Sequence, residues 1–378
     1  MTKFGISNLK FRILCAALIG VLFLNVNVRP VGGSLKAEGF GDGRRQTNHP
    51  QAALEAATLA FDVPDQSTDR PTVIVVVGAA GTPEYAAQFA QWAGLWEKAA
   101  AKGGTNFASI GLDDIEASDD SSLALQQRTD RTALQEILAK ESGQSAAALW
   151  LIFIGHGTFD GRAAKFNLRG PDVSADDLAE WLRPFSRPLV VINTASSSAP
   201  FLNAMSGSNR IIITATKSGF EQNYARFGQY LAEAIAEPVA DLDKDGQTSL
   251  LEAFLTASAR VAEFYSASGR LATEHSLLDD NGDGLGTRPD WFRGIRPVQK
   301  AADGASLDGY RAAQFHLIRS EAENKMPPEL RARRDGLELE VIKLRDAKES
   351  FSEDEYFSKL EKLLCDIAQI YEQADKAD

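Results

Sequence analysis

The sequence predicts an α/β fold: a mostly parallel sheet with helices on both faces, followed by a carboxy-terminal helical segment. Three observations carry this. Continuous apolar, β-branched runs recur at residues 71–77, 149–154, 188–193 and 210–215, the pattern of strands buried on both faces. Stretches of helical length and periodicity separate them, as crossover connections of a parallel sheet require. From about Leu307 onward the composition turns charged and helical.

Residues 1–33 read as a secretory signal. Lys3, Lys10 and Arg12 give a positive start, and residues 13–24 are apolar. That run, roughly 12 residues, is short against the ~20 that a spanning helix needs. Val31, Gly32 and Gly33 offer small residues for cleavage before Ser34. The alternative is an uncleaved amino-terminal anchor, and only then is membrane contact expected. Both readings place the protein outside the cytoplasm, periplasmic or secreted. The residues before Cys15 do not suit lipid attachment.

Residues 34–70 are rich in Gly, Ala, Asp and Gln and read as a linker with a short helix over 51–60. The α/β domain is placed at 71–300. Its first strand, 71–77, runs into Gly78, Ala79, Ala80 and Gly81, a tight turn into a helix. That turn lacks the Gly-Lys-Ser/Thr ending of a phosphate-binding loop. The following helix carries Phe89, Trp92 and Trp96 on one face. Residues 106–112 suit a second strand and 130–140 a helix. After the strand at 149–154, a short strand is expected at 166–170, then a helix capped by Ser174 with Asp177. The strands at 188–193 and 210–215 follow, and then a helix over 224–237 ended by Pro238.

The tail, 301–378, opens its last helix with the capping box Ser352-Glu-Asp-Glu355. Phe357, Leu360, Leu364, Ile367 and Tyr371 continue at helical spacing, and Leu337, Val341 and Leu344 give a similar face upstream. A helical hairpin packed on itself or on the core is expected. The alternative is a dimer contact of the coiled-coil kind through residues 330–375.

Charge and cysteine usage exclude several classes. With 40 basic against 52 acidic residues the net charge is -12, which argues against a nucleic-acid partner. The two cysteines, Cys15 and Cys365, fall in the signal and the tail. The α/β domain therefore holds no thiol and no disulfide, although export would permit one. Four histidines without domain cysteines also argue against zinc.

The chemistry concentrates at two strand ends. One apolar strand stops at Gly155-His156-Gly157, and the 188–193 strand stops at Thr194-Ala195-Ser196-Ser197-Ser198. Carboxyl ends of parallel strands are where open α/β sheets place their sites. A His on one end and a hydroxyl on the next have the character of a base and a nucleophile.

This pairing resembles the His/Cys dyad of the caspase and legumain class of cysteine peptidases, over residues 71 to 284. The legumain-type pattern is an apolar strand, an acidic residue, Ala, Cys, a variable residue, Ser and Gly. Ala195 and Ser198 match it, Thr194 and Ala199 depart, and Ser196 stands in the Cys position. The resemblance implies a caspase-like sheet, His156 as base, the Gly157 amide at the oxyanion, and a peptide or protein ligand in the cleft. It also implies impaired proteolysis. A thiol with a pKa near 8.5 supplies thiolate at neutral pH, and a serine hydroxyl does not. No Gly-x-Ser-x-Gly and no third group orienting the base are visible in the sequence. Two alternatives stay open: an active hydrolase using Ser196 with His156, and a calcium-stabilised module whose tail helices bind partners.

Two acidic loops complete the reading. Asp241, Asp243, Asp245, Gly246, Ser249 and Glu252 occupy the first, third, fifth, sixth, ninth and twelfth places of an EF-hand loop, with Gln247 offering its backbone carbonyl. Asp279, Asn281, Asp283 and Gly284 repeat the first half; the twelfth place is Asp290, a shorter acid after Pro289. Structural calcium is the expected cofactor. The alternative is a solvated acidic turn capping the next helix. His275, beside the second loop, reads as structural, and His49 and His316 as linker or helical surface.

Overall fold

The computed structural model describes residues 70–112, 129–237, 240–299 and 307–377. The expected signal, the linker and its helix at 51–60 lie outside the described residues.

The chain starts with β1 (Thr72–Val77), α1 (Pro83–Lys102), β2 (Asn106–Ile110), α2 (Asp130–Lys140) and β3 (Leu149–Ile154). A small antiparallel sheet follows, β4 (Gly157–Phe159), β5 (Ala164–Phe166) and β6 (Val173–Ser174), then α3 (Ala175–Trp181). Next come β7 (Leu189–Asn193), α4 (Ala199–Met205), β8 (Arg210–Thr214), α5 (Phe227–Ala236), α6 (Leu250–Ala267) and β9 (Leu277–Asp279). A short hairpin, β10 (Phe292–Arg293) and β11 (Arg296–Pro297), precedes α7 (Glu321–Lys325), α8 (Pro328–Asp346) and α9 (Glu353–Ala377).

The main sheet has six strands in the order β2-β1-β3-β7-β8-β9. All pairs are parallel except β8 with β9. The expected α/β architecture is therefore present, with one antiparallel edge strand. Alternate residues feed two cores. Val73, Val75, Ile152, Ile192 and Ile213 pack with Phe89, Trp96, Leu231 and Phe254 from α1, α5 and α6. Ile74, Val76, Leu151, Val191 and Ile212 pack with Leu134, Leu178 and Phe201 from α2, α3 and α4. Burial on both faces explains why these strands read as unbroken apolar runs.

The register of β3 on β7 pairs Phe153 with Asn193. His156 and Ser196 each follow three residues later (156 − 153 and 196 − 193), so they leave the sheet at the same height.

Four details depart from the sequence reading. Strand β2 stops at Ile110, because Gly111 turns with φ +85° where a Cβ would lie 2.0 Å from the Val77 carbonyl oxygen. The short strand expected at 166–170 lies at Ala164–Phe166 and pairs with β4, which starts at Gly157 itself. Three-residue strands are too short to show a period. Helix α5 begins at Phe227, not 224, because the buried Glu274 carboxylate accepts the amides of Arg226 (2.8 Å) and Phe227 (3.0 Å) and so caps it. In the tail, α8 and α9 pack on each other, and Ser352 and Glu355 form the expected capping pair. The apolar stripe is rotated, however: α9 buries Tyr356 and Ile370 and leaves Phe357 and Leu364 37% and 39% exposed.

Candidate active site

His156 follows the end of β3, and its ring sits in an aromatic cage. Tyr85 meets it edge-on at 4.9 Å, Phe89 at 5.3 Å, and Tyr224 lies at 6.0 Å. The Nε2 atom is 3.2 Å from the Ala80 carbonyl oxygen. A carbonyl can only accept, so Nε2 carries the proton. In the neutral ring Nδ1 then holds the lone pair. Ala80 thus supplies the orienting third group that the sequence did not reveal. Burial pushes the Tyr224 phenol up, away from ionisation, and its hydroxyl donates to Gln88 Oε1 at 2.8 Å.

Ser196 is 5% exposed, and its hydroxyl is engaged twice by one residue. The Oγ donates to the Gly157 carbonyl at 2.9 Å and accepts from the Gly157 amide at 3.2 Å. The structure therefore brings His156, Gly157 and Ser196 together, but no hydrogen bond joins Ser196 to His156 among the described residues. Gly157 has a steric reason to be glycine, since a Cβ there would lie 2.2 Å from the Ser196 carbonyl oxygen.

The rest of the serine turn is locked by its own polar groups. Thr194 Oγ1 donates to Phe153 O at 2.8 Å, and the Ala195 amide donates to Asn193 Oδ1 at 3.1 Å. Ser197 takes φ +56°, a left-handed conformation disfavoured for a residue with a Cβ. Its amide donates to the Glu221 carbonyl at 2.8 Å. Thr216 Oγ1 accepts the amides of Ser198 and Ala199 at 2.8 and 3.2 Å, anchoring the start of α4. The loop after β8 closes this side. Glu221 pairs with His275 Nδ1 at 2.5 Å, and Phe220, 75% exposed, stands edge-on to Phe159 at 5.1 Å. His275 thus fixes a loop, in keeping with its structural reading.

This geometry can orient an imidazole, with Nδ1 as its base atom. It does not deliver the serine proton to that base. The hydroxyl's hydrogen goes to the Gly157 carbonyl, and the Gly157 amide donates back to the same hydroxyl.

The two acidic loops share one backbone pattern. In the first, Asp241 accepts the amides of Asp245 (3.2 Å) and Gly246 (3.1 Å), and Asp245 accepts that of Gln247 (3.0 Å). In the second, Asp279 accepts those of Gly282 (2.9 Å) and Gly284 (3.1 Å), and Asp283 accepts that of Leu285 (2.7 Å). Positive φ falls at the fourth and sixth places of both, Lys244 and Gly246, Gly282 and Gly284. Asp241, Asp243 and Glu252 offer carboxylate oxygens within 4.8 Å of one another. Partial burial and the carboxylates of Asp245, Glu252 and Asp241 push Asp243 up to about 6. These are hard oxygen donors, the type calcium takes. Glu252 also caps α6, accepting from the Ser249 amide and hydroxyl at 2.7 and 2.8 Å. In the second loop Arg288 takes the Asp290 carboxylate at 2.8 Å. Asp280, unread in the sequence, accepts the amides of Gly309, Arg311 and Ala312 at 2.8–3.0 Å and ties the tail's beginning to the loop.

Fold and site together define an α/β protein with a mostly parallel, helix-flanked sheet and a His–Gly and Ser pair at two adjacent strand ends. No protein-family model matches the chain, and no curated protein matches it. Among solved structures it is similar to the Drosophila initiator caspase Dronc, at 12% identity over 59% of this chain and 84% of that one, TM-score 0.35. Caspase-1 from Spodoptera frugiperda gives 10% identity, 56% and 86% coverage, and TM-score 0.34. Protein GSU0716 from Geobacter sulfurreducens gives 11% identity, 58% and 98% coverage, and TM-score 0.35.

Among the described residues no helix is long and apolar enough to cross a membrane.

Proposed function

We propose that the chain is an exported, legumain-type relative of the caspase-fold peptidases whose proteolysis is impaired, and which binds peptides or proteins in the cleft at His156 and Ser196. The observation that supports this best is the double hydrogen bond between Ser196 and the Gly157 backbone. A hydroxyl in that state is a structural tie. A thiol in its place would form weaker hydrogen bonds and, with an ordinary pKa near 8.5, would ionise far more readily than a hydroxyl. The experiment is cleavage of a peptide library by the full chain, by Ser196→Cys and by His156→Ala. Wild-type cleavage lost in His156→Ala would overturn the proposal.

The second reading, an active hydrolase with Ser196 as nucleophile, draws support from the Ala80 carbonyl that orients His156. It requires the Ser196 hydroxyl to rotate away from Gly157 and towards Nδ1.

The same proposal assigns calcium to the first loop, through Asp241, Asp243, Asp245, Glu252 and the Gln247 carbonyl. Asp279, Asn281 and Asp283 form a weaker second site, with no carboxylate free at the twelfth place. The ion would neutralise crowded carboxylates and fix the entry to α6. Millimolar calcium outside the cytoplasm suits such loops. Dimerisation through residues 330–375 would use the exposed Phe357 and Leu364.

A further inference from the structure

One short segment, residues 224–228 at the start of α5, touches both halves of the candidate site. The Tyr224 ring lies 6.0 Å from the His156 ring and 4.7 Å from that of Tyr85, and its hydroxyl reaches Gln88 Oε1 on α1 at 2.8 Å. Four residues on, Gly228 meets the serine turn. A Cβ there would lie 2.7 Å from Thr194 Oγ1 and 2.8 Å from Thr194 Cβ, so the backbone of α5 packs directly on Thr194. Thr194 Oγ1 in turn donates to the Phe153 carbonyl at 2.8 Å, which ties the turn to β3. The position of this segment therefore decides what walls in His156 and what backs the turn that carries Ser196.

The segment is held from another part of the chain. Helices α3, α6 and α7 are each capped by the serine that precedes them, Ser174, Ser249 and Ser320. Helix α5 follows Arg226, whose side chain makes no capping bond. Its open amides are taken by Glu274, in the loop between α6 and β9. Glu274 Oε2 accepts the amides of Arg226 at 2.8 Å and Phe227 at 3.0 Å. Its Oε1 accepts the Arg226 amide at 3.0 Å and the Tyr265 hydroxyl of α6 at 3.2 Å. Glu274 is 2% exposed, so these bonds are shielded from water, and a negative charge suits a helix start. The Arg226 guanidinium, 4.1 Å over the Phe264 ring and 5.7 Å from that of Tyr224, closes the same junction.

We infer that Glu274 is a positioning residue for the candidate site: it holds the start of α5, and through it Tyr224 against His156 and Gly228 against Thr194. Among the described residues Glu274 makes no hydrogen bond to His156 or Ser196 and acts only through the segment it caps. Without its carboxylate two buried amides lose their acceptor, a loss the backbone relieves by moving towards another partner. Tyr224, two and three residues before those amides, moves with them and opens the wall at His156. The inference rests on the reading of His156 and Ser196 as a site. Its readout is the state of His156 in the protein alone, so failure of peptide binding and failure of this inference are separate results.

The test is proton NMR of the full chain at neutral pH, following exchange with water of the His156 ring proton on Nε2, which the Ala80 carbonyl holds. His156→Ala identifies the signal by its loss. Glu274→Ala should speed that exchange by about tenfold or more, the mark of local opening. Glu274→Gln keeps an oxygen for both amides and should restore most of the protection. Tyr224→Ala should match Glu274→Ala, and the double variant should add little, because both act through one wall. Asp177→Asn removes a cap on the opposite face of the sheet and should leave the proton unchanged. If Glu274→Ala does not fold, Glu274→Asp, one methylene short of the amides, takes its place. Unaltered exchange in the Glu274 variant, equal acceleration in Asp177→Asn, or full additivity with Tyr224→Ala would each overturn the inference.

Discussion

Replacing Ser196 by alanine separates a structural hydroxyl from a catalytic one. The substitution removes the acceptor of the Gly157 amide, at 3.2 Å, and the donor to the Gly157 carbonyl, at 2.9 Å. Ser196 is 5% exposed, while Gly157 is half-buried. Leaving one buried polar group unpaired costs roughly 1–3 kcal/mol. Water can reach part of Gly157, so Ser196→Ala should lose about 1–2 kcal/mol. Urea unfolding followed by circular dichroism reads this as a lower midpoint at unchanged slope. A serine kept only for attack on substrate would be neutral for stability. A loss within about 0.3 kcal/mol of zero would refute the tie, because surface-like neutrality is what an unengaged hydroxyl gives.

Three further outcomes are expected. Asp177 caps α3 through Ser174 and pairs with Arg131 at 2.8 Å, and these bonds hold its carboxyl well below the usual range. A depressed native pKa gives stability that is present above the unfolded value of 3.8 and lost as pH falls through the native one. Asp177→Asn should cost about 1–2 kcal/mol at pH 7, discounted for partial exposure, and its difference from wild type should shrink in melts below about pH 4. Asp243 runs the other way. Raised to about 6, it favours the ion-free protein below the unfolded value of 3.8, and that contribution is lost as pH rises through about 6. Calcium should therefore raise the melting temperature more at pH 7 than at pH 5, and Glu252→Gln should remove most of the rise; a rise that survives Glu252→Gln would remove the ion from this loop. Replacing Phe357 and Leu364 together by serine should turn any sedimenting dimer into monomer without lowering the melting temperature, since both side chains are more than a third exposed.

The long apolar strands were legible because burial on both sheet faces leaves a continuous signal, and β1, β3, β7 and β8 lie where those runs lie. The helix over Asp130–Lys140 and the caps at Ser174 and Ser352 were legible for a local reason, a side chain satisfying a nearby amide. The candidate site was readable as residue types at strand ends. Its wiring was not. Ala80 acts through a main-chain carbonyl, which no side-chain pattern marks. Tyr224 reaches His156 from a loop 68 residues along the chain (224 − 156), and Glu274 sets the start of α5 from 47 residues beyond it. His316 shows the same limit: its sequence context suggests helical surface, whereas it lines a cavity beside the first acidic loop, and burial pushes its imidazole down. The tail stripe failed for a physical reason as well. Arg334 is buried on α8 in ion pairs with Glu323 and Asp335, a charged inner surface, and α9 buries Tyr356 and Ile370 while Phe357 and Leu364 stay exposed.

In the proposed function Ser196, and not the placement of His156, limits proteolysis. The most direct measurement of this is the cleavage rate of a peptide library by wild type, Ser196→Cys and Ser196→Cys/His156→Ala. Cleavage is expected in Ser196→Cys alone, with a rise towards alkaline pH as the thiol ionises. Cleavage by wild type at a rate matching Ser196→Cys would contradict it.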